Sequence, residues 1–577
     1  MKKIGIILLV AFLSIIPVKI VKADSKADSG SVDKAILEIL KEKQIITPEK
    51  YQELSQKLAS GKKNVDQEIL DLLKAKDIIT QAKHDELEAK AAQEQKAAEK
   101  SGGPSLPQLT NAVKLTIGSY IDNTVVARNR YTGADVSTKW NLGSGGFPLR
   151  NSPNYYQSEF RDSARATRLS LLAEGQEDFA KLRAYVEIDF QGNGNSSNYQ
   201  QTNSWAPRLR QGFADYTAKT WSLLFGQAWS LITMNKAGIA ALKENIPMTI
   251  DAGYIPGFTF TRNGQVRLVK NFGSMVAVAV SVENPQTLYT GGGLPSAVTG
   301  ADSLHPYSGP NANYTYQLLQ PNGSTFPAGS PVNFVDVTGV TNSSNNPTTL
   351  SLDQYPDIIG KVAFDPCFGH FEAYGLARFF HSRTAWGVNP NGSGHTNNNT
   401  SGWGAGAAAL VPVIPKLVEI QGSFLAGEGI GRYGAAQFPD VVVNPVNGKL
   451  DPIHQIQVLA GLLGHPNDRL DLFTYWGMEK TSSRDILGTR GGFGNPNYVP
   501  PLLNEGSWGS SAFLQGAYVQ ASRVDQITAG AWYSFYQGTY GKMRIGVSDS
   551  YSKLYLYGDL PNEYLNVGMV SFRYYFK

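Results

Sequence analysis

Beyond Thr110 the chain alternates apolar and polar residues with a period of two. Leu182, Ala184, Val186, Ile188 and Phe190 interleave with Arg183, Tyr185, Glu187 and Asp189. Val113, Leu115 and Ile117 interleave with Lys114 and Thr116, and Val276, Val278, Val280 and Val282 with Ala277, Ala279, Ser281 and Glu283. Successive side chains of an extended strand point to opposite faces, so each segment has one apolar and one polar face. Segments of about ten residues with this alternation mark strands that meet lipid on one side and water on the other. The closing residues, NVGMVSFRYYFK, follow the rule: Val570, Phe572, Tyr574 and Phe576 share a lipid face, and Arg573 faces water.

Connection lengths set the strand count. Seven short links join strand pairs: GQED near Gly175, TAKT near Ala218, NFGS near Asn271, DPCFGH near Pro366, PVIPK near Pro412, GHPND near Pro466 and SRVD near Arg523. Seven hairpins, with a first strand near Val113 and a last at the C-terminus, predict an all-β fold: a 16-stranded antiparallel transmembrane β-barrel over residues 111–577. The hairpin-like stretch Lys542 to Tyr557 is then assigned to the last long loop. No blade repeat of the kind a propeller needs is visible in this region. The links between hairpins are long and polar, for example Asn284 to Pro356, rich in Gly, Asn, Ser, Thr and Pro.

One long connection differs. WSLITMNKAGIAALKENIPMTIDAGYIPG carries Ile239, Leu242, Ile246, Met248 and Ile250, which a surface loop does not need, and Ala237 to Glu244 has helical propensity. We expect it to fold into the barrel and narrow it, with Lys236, Lys243, Glu244 and Asp251 as constriction residues.

Before residue 111 the pattern changes. Residues 1–23 read as a secretory signal peptide: Lys2 and Lys3 precede an apolar core from Ile4 to Ile16, with Val21 and Ala23 before the cut. Residues 24–100 lack arginine and have a helical composition, expected to form an α-helical periplasmic region. Two copies at a 33-residue offset, VDKAILEILKEKQIITPEKYQEL from Val32 and VDQEILDLLKAKDIITQAKHDEL from Val65, each read as a helical hairpin with Thr47 or Thr80 as an N-cap. The charged tail after them continues as a helix or weak coiled coil, and residues 101–110 form a linker.

Charge and candidate chemistry refine the picture. A formal charge of +4 argues for no nucleic-acid partner. Cys367 is the only cysteine, so no internal disulfide forms, and no metal or cofactor motif is present. The seven histidines are scattered, without HExxH, GxSxG or CxxCH, so the chain is not read as an enzyme. A barrel lipid hydrolase would need a Ser–His pair facing lipid, and a tether or adhesin is the structural alternative. Sixteen strands leave an aqueous lumen whose polar face acts as the filter. Every arginine lies beyond residue 100. The pore-lining candidates are Arg161, Arg165, Arg168, Arg183, Glu187, Asp189, Arg208, Arg210, Glu372, Arg378 and Arg573, because guanidinium groups attract anions and fork onto carboxylate or phosphate. Counted from residue 101, 34 basic groups face 32 acidic ones, so only position favours anions.

SARATRLSLLAEG, LRAYVEIDFQGNG, PRLRQGFADY and SLLFGQAWS, in that order, resemble the early strands of the DcaP-like trimeric porins, relatives of general-diffusion and phosphate-selective porins. The resemblance spans about Leu169 to Trp229. It implies a sixteen-stranded homotrimer in outer-membrane lipid with a helical periplasmic extension, and passive uptake of small hydrophilic, often anionic solutes such as dicarboxylates. The paired repeat of residues 32–87 and the terminal Lys577 depart from the family pattern, and we read the repeats as a contact for peptidoglycan or a periplasmic partner.

Overall fold

The computed structural model describes Gln52 and residues 113–576, except 133, 137–146, 151–152, 177–178, 193–204, 291–314, 318–319, 321–332, 337–350, 387–394, 445, 486–491, 495–520 and 558–560. The chain divides into two compact units, Met1–Lys114 and Leu115–Lys577. The expected signal peptide and linker, the helical repeats apart from Gln52, and Lys577 lie outside the described residues.

Sixteen staves follow in chain order. They are β1 (Val113–Arg128), β2 (Glu159–Ser163, resuming as Arg168–Gln176), β3 (Ala180–Asp189), β4 (Arg208–Ala218), β5 (Trp221–Trp229), β6 (Arg262–Phe272), β7 (Val276–Glu283) and β8 (Asp357–Phe364). The series continues with β9 (His370–Trp386), β10 (His395–Ile414), β11 (Val418–Glu428), β12 (His454–Asn467), β13 (Leu470–Thr481), β14 (Ala521–Gly538), β15 (Gly541–Leu556) and β16 (Glu563–Tyr575). Neighbours pair antiparallel, including β7 with β8 across the longest connection, where Val282 lies opposite Ile358. The last stave returns to the first, with Arg573 opposite Asp122 and Val570 opposite Val125. Closure pairs each stave on both sides across the span shared with its neighbours and leaves no open sheet edge there. Among the described residues no helix is long and apolar enough to cross a membrane.

The period-two reading holds in three dimensions. Along β7, Val278, Val280 and Val282 are exposed on the outside, while Ala277, Ala279, Ser281 and Glu283 are buried on the inside. On β16, Phe572 is exposed and Ser571 buried.

Six of the seven expected short turns are present; the seventh is displaced. Ser522 to Asp525 lies inside β14, and most of the stretch Lys542 to Tyr557 is barrel stave β15 rather than loop. The true turn is Gly538–Gly541, where Gly541 has φ +110°. Arg523 and Asp525 read as turn residues because they are charged. They sit two apart on the outer face of β14, pair at 2.7 Å, and precede the exposed Ile527. The outer face of a stave is apolar only over the hydrocarbon band, so charge near a strand end does not signal a turn.

Staves β9 and β10 run well past their neighbours at the long-loop end. There, Asn333–Asp336 from the long connection pairs with Arg383 to Trp386 of β9.

Candidate functional site

Residues 230–261 enter the barrel, as the apolar content of that connection predicts. Their anchors come from staves spread around the wall. Glu283 on β7 accepts from Leu231 N at 2.8 Å, and Glu372 on β9 from Asn235 N at 3.0 Å. Tyr475 on β13 accepts from Met248 N at 3.1 Å, while Trp532 on β14 donates its indole N–H to Met248 O at 2.7 Å. Arg573 on β16 donates to Ile250 O at 2.7 Å. Backbone and wall approach so closely that side chains are excluded on both sides. A Cβ on Gly257, which has φ +78°, would lie 2.0 Å from Val458 O, and one on Gly477 would lie 2.1 Å from Pro256 O. Only glycine accepts both the left-handed conformation and the contact at position 257.

The expected helix over Ala237 to Glu244 does not form. Asn235 and Glu244 bridge, Lys236 N donates to Lys243 O at 2.9 Å, and the chain reverses through Gly238 (φ +58°) and Leu242 (φ +68°). Eight residues are too few for helix propensity to overcome nucleation, so the wall contacts decide the local conformation.

A second segment also folds inward, which the sequence reading missed. Residues 429–444 and 446–453, between β11 and β12, bury Ile430, Tyr433, Ala436, Phe438 and Val441 to Val443. It meets the first loop where Phe260 N donates to Tyr433 O at 3.1 Å. Glu479 on β13 joins the two segments, accepting from Gly257 N at 2.8 Å and Ala436 N at 3.0 Å. The signal was readable: GRYGAAQFPDVVV is far more apolar than the other long connections.

Bordering this packed region a cavity of about 50 Å³ lies between the 246–253 stretch of the first loop and staves β1, β2, β4, β5 and β16. Arg168, Arg208, Arg210 and Arg573 converge on it, with Tyr120, Trp229 and Asp251. Arg210 is buried and forks onto two acids, Glu187 at 2.6 Å and Asp189 at 2.7 Å, and Arg208 reaches Asp189 at 2.7 Å. Arg573 pairs with Asp122 at 2.5 Å. Arg168 makes no contact ion pair among the described residues, though its charge acts on Glu187, and it stands 5.4 Å from the centre of the Tyr120 ring. Nearby, Arg262 stacks 4.7 Å from the Trp229 ring, and its buried Nη1 has no hydrogen-bond partner among the described residues. Such a cluster presents fixed donors to an anion while most of its own charge is internally paired.

The remaining candidates sit elsewhere. Arg183 is closed onto Asp215 at 2.9 Å. Arg161 lies at the start of β2, 3.5 Å from Glu159. Arg165, at the break in β2, pairs with Asp135 at 3.1 Å and donates to Phe190 O. Glu372 is buried as a loop anchor. Arg378 is buried rather than open to the lumen: it holds Asp357 at 3.1 Å and Asp440 at 2.7 Å and donates to Gly429 O, fastening the second infolded segment. Of the constriction candidates, Asp251 lines the cavity, Lys236 and Lys243 are exposed at the loop tip, and Glu244 is half-buried there. Burial pushes the Glu244 carboxyl up, with Arg267 pulling the other way. Among the described residues no group of His, Cys, Asp and Glu is arranged to hold a metal ion.

No family model matches the sequence. No curated protein matches it either. The architecture does match: the outer membrane channel DcaP of Acinetobacter baumannii superposes with a TM-score of 0.50 at 14% identity, covering 81% of this chain and 98% of that one. The fold is that of a DcaP-like porin. Looser likenesses are OmpF of Salmonella typhi, with a TM-score of 0.41 at 10% identity over 81% of this chain and 98% of that one. An anion-selective porin from Comamonas acidovorans gives 0.38 at 9%, over 80% and 100%. Within this DcaP-like porin fold, the resemblance seen in the early strands falls on β2 to β5, the staves that carry most of the arginine cluster.

Proposed function

We propose that the chain is an outer-membrane porin, a water-filled channel for passive diffusion of small hydrophilic solutes with a preference for anions such as dicarboxylates. The observation that carries this reading is the convergence of Arg168, Arg208, Arg210 and Arg573 on the cavity beside the infolded loop. A solute squeezed between loop and wall passes these groups at close range, where low water content strengthens the interaction. The exposed apolar outer face and the closed sheet support a place in lipid, with the short turns on the periplasmic side. A homotrimer, and a helical N-terminal region of residues 24–100 that meets peptidoglycan or a periplasmic partner, complete the proposal; both rest on the sequence.

Purified protein in a planar bilayer tests it. The expected result is a stable open current whose reversal potential in a salt gradient reports anion preference. A silent barrel sinks the channel reading, and cation preference sinks the filter. Deleting residues 24–100 and assaying trimers in detergent tests the N-terminal role; an unchanged trimer argues against oligomerisation through it.

A further inference from the structure

We propose that His370 is a proton-operated latch on the constriction loop. It opens β9 beside the β8–β9 turn and is buried, with Nδ1 2.7 Å from Asp365 Oδ1 and Nε2 3.0 Å from Glu372 Oε1. An ionised carboxylate only accepts hydrogen bonds, and both ring nitrogens donate only in the imidazolium form. The neutral ring necessarily aims a lone pair at one carboxylate.

Those two carboxylates are what the loop tip hangs on. Glu372 Oε1 accepts from Asn235 N at 3.0 Å, and Asp365 Oδ2 accepts from Gly238 N at 2.9 Å. Lys361 on β8 closes the set, 2.8 Å from Glu372 Oε2 and donating to the loop carbonyl of Thr233 at 2.8 Å. The charges balance with the ring protonated: His370 and Lys361 offset Asp365 and Glu372. Removing one proton leaves an excess negative charge in a buried site, with a carboxylate facing a lone pair, an arrangement of high cost.

The surrounding groups do not supply a substitute cation to the ring. Across β10 its register partner is Leu410. On β6, Arg267 hydrogen-bonds Gln265 and Trp229 O rather than the ring, and its charge is shared among Glu244, Glu283, Asp215 and Glu372. On the loop, Lys236 is exposed and Glu244 is an acid. Asp365 is part-exposed at the turn, which gives the proton a path to solvent. The tip is therefore held when the imidazole is charged and released as pH rises through the imidazole range. Glu244 is the other titrating group at the tip. Its raised carboxyl favours the neutral form, so it also loosens the tip as pH rises. A His370 variant separates the two.

The latch rests on the channel reading only for its consequence, so its test reads the loop directly. Hydrogen exchange of the tip, residues 233–245, is compared with residues 255–261 of the same loop, which cancels the intrinsic pH dependence of exchange. In the full-length wild type, protection of the tip relative to that control falls about tenfold between about pH 5 and about pH 9. In His370→Gln, which cannot titrate, the fall is diminished by about threefold or more, and what remains is the Glu244 contribution. Asp365→Asn gives a second diminished fall independently, because a neutral ring then meets only one carboxylate. A pH-independent ratio in the wild type, or an undiminished fall in His370→Gln, overturns the latch. Bilayer current noise measured alongside tells the two readings apart: a silent barrel with a pH-dependent tip sinks the channel and keeps the latch.

Discussion

The interior of this barrel has two sides built from the same strand pattern with opposite chemistry. From β2 to β4 the inward positions carry Arg168, Arg183, Glu187, Asp189, Arg208, Arg210 and Asp215, joined across neighbouring staves by ion pairs. From β12 to β16 they include Leu459, Leu463, Phe473, Val524, Trp532, Leu554, Leu565 and Val567, which cluster with residues of the infolded segments. The outer faces of both sides are apolar and exposed, so lipid imposes nothing that distinguishes them. What distinguishes them is what lies inside. Where a folded-in segment covers the wall, the inner face behaves as the core of a soluble protein, stabilised by buried apolar area. Where the wall meets the cavity, charges stay and must be paired. A stave of this barrel is thus apolar inside where a segment packs over it, and keeps buried charges there only where they clasp that segment, as Arg378 and Glu479 do.

The largest effect should come from expelling the loop that creates the difference. Gly257→Val has to relieve both a left-handed backbone and a clash with Val458 O, at a cost of about 4 kcal/mol. The expected outcome is a barrel that still folds but conducts several-fold more per channel. Unchanged single-channel conductance would show that this loop does not set the constriction.

The next comparison sets an inner aromatic against an outer one. Trp532→Ala removes a fully buried ring and its hydrogen bond to Met248 O, and should cost about 3–5 kcal/mol in denaturant unfolding. Phe572→Ala, on the lipid face of β16, should cost about 1 kcal/mol or less, because lipid tails fill the space left behind. Equal losses at the two sites would mean that the inner face is not a packed core.

The smallest changes separate paired from unpaired arginine. Arg210→Ala strands Glu187 and Asp189, so we expect roughly 3 kcal/mol of lost stability together with a reversal potential moved toward cations. Arg168→Ala removes a guanidinium that makes no contact ion pair among the described residues and acts on Glu187 only through space. Stability should stay within about 0.5 kcal/mol while anion preference falls. If Arg168→Ala leaves the reversal potential where it was, the cavity is not on the ion path.

Much of this was legible along the chain, and the failures are specific. The strand count followed from turn chemistry, yet one of the seven turns was assigned to Ser522–Asp525 because two outward charges at a strand end resemble a loop. The inward path of residues 230–261 was visible in Ile239, Ile246 and Ile250, whereas the same argument applied to Phe438 and Val441 to Val443 would have found the second segment. Arg208 and Arg210 lie on the inner face of β4 beside the cavity. Arg378, on the same kind of face, proved to be a buried clasp on Asp357 and Asp440, because alternation reports the side of a strand and not what covers it.

The sequence by itself determined the barrel: a period of two, short turns and long loops are local properties, and local properties suffice to say which face of each stave meets lipid. Only the tertiary structure decided the site. Whether an inward arginine lines a cavity, pairs with a neighbour or clasps a loop depends on segments hundreds of residues away, as Arg573 on Asp122 and Trp532 on Met248 show. Alternation carries no information about such partners, since the contacts form only when the sheet closes and the loops fold into it.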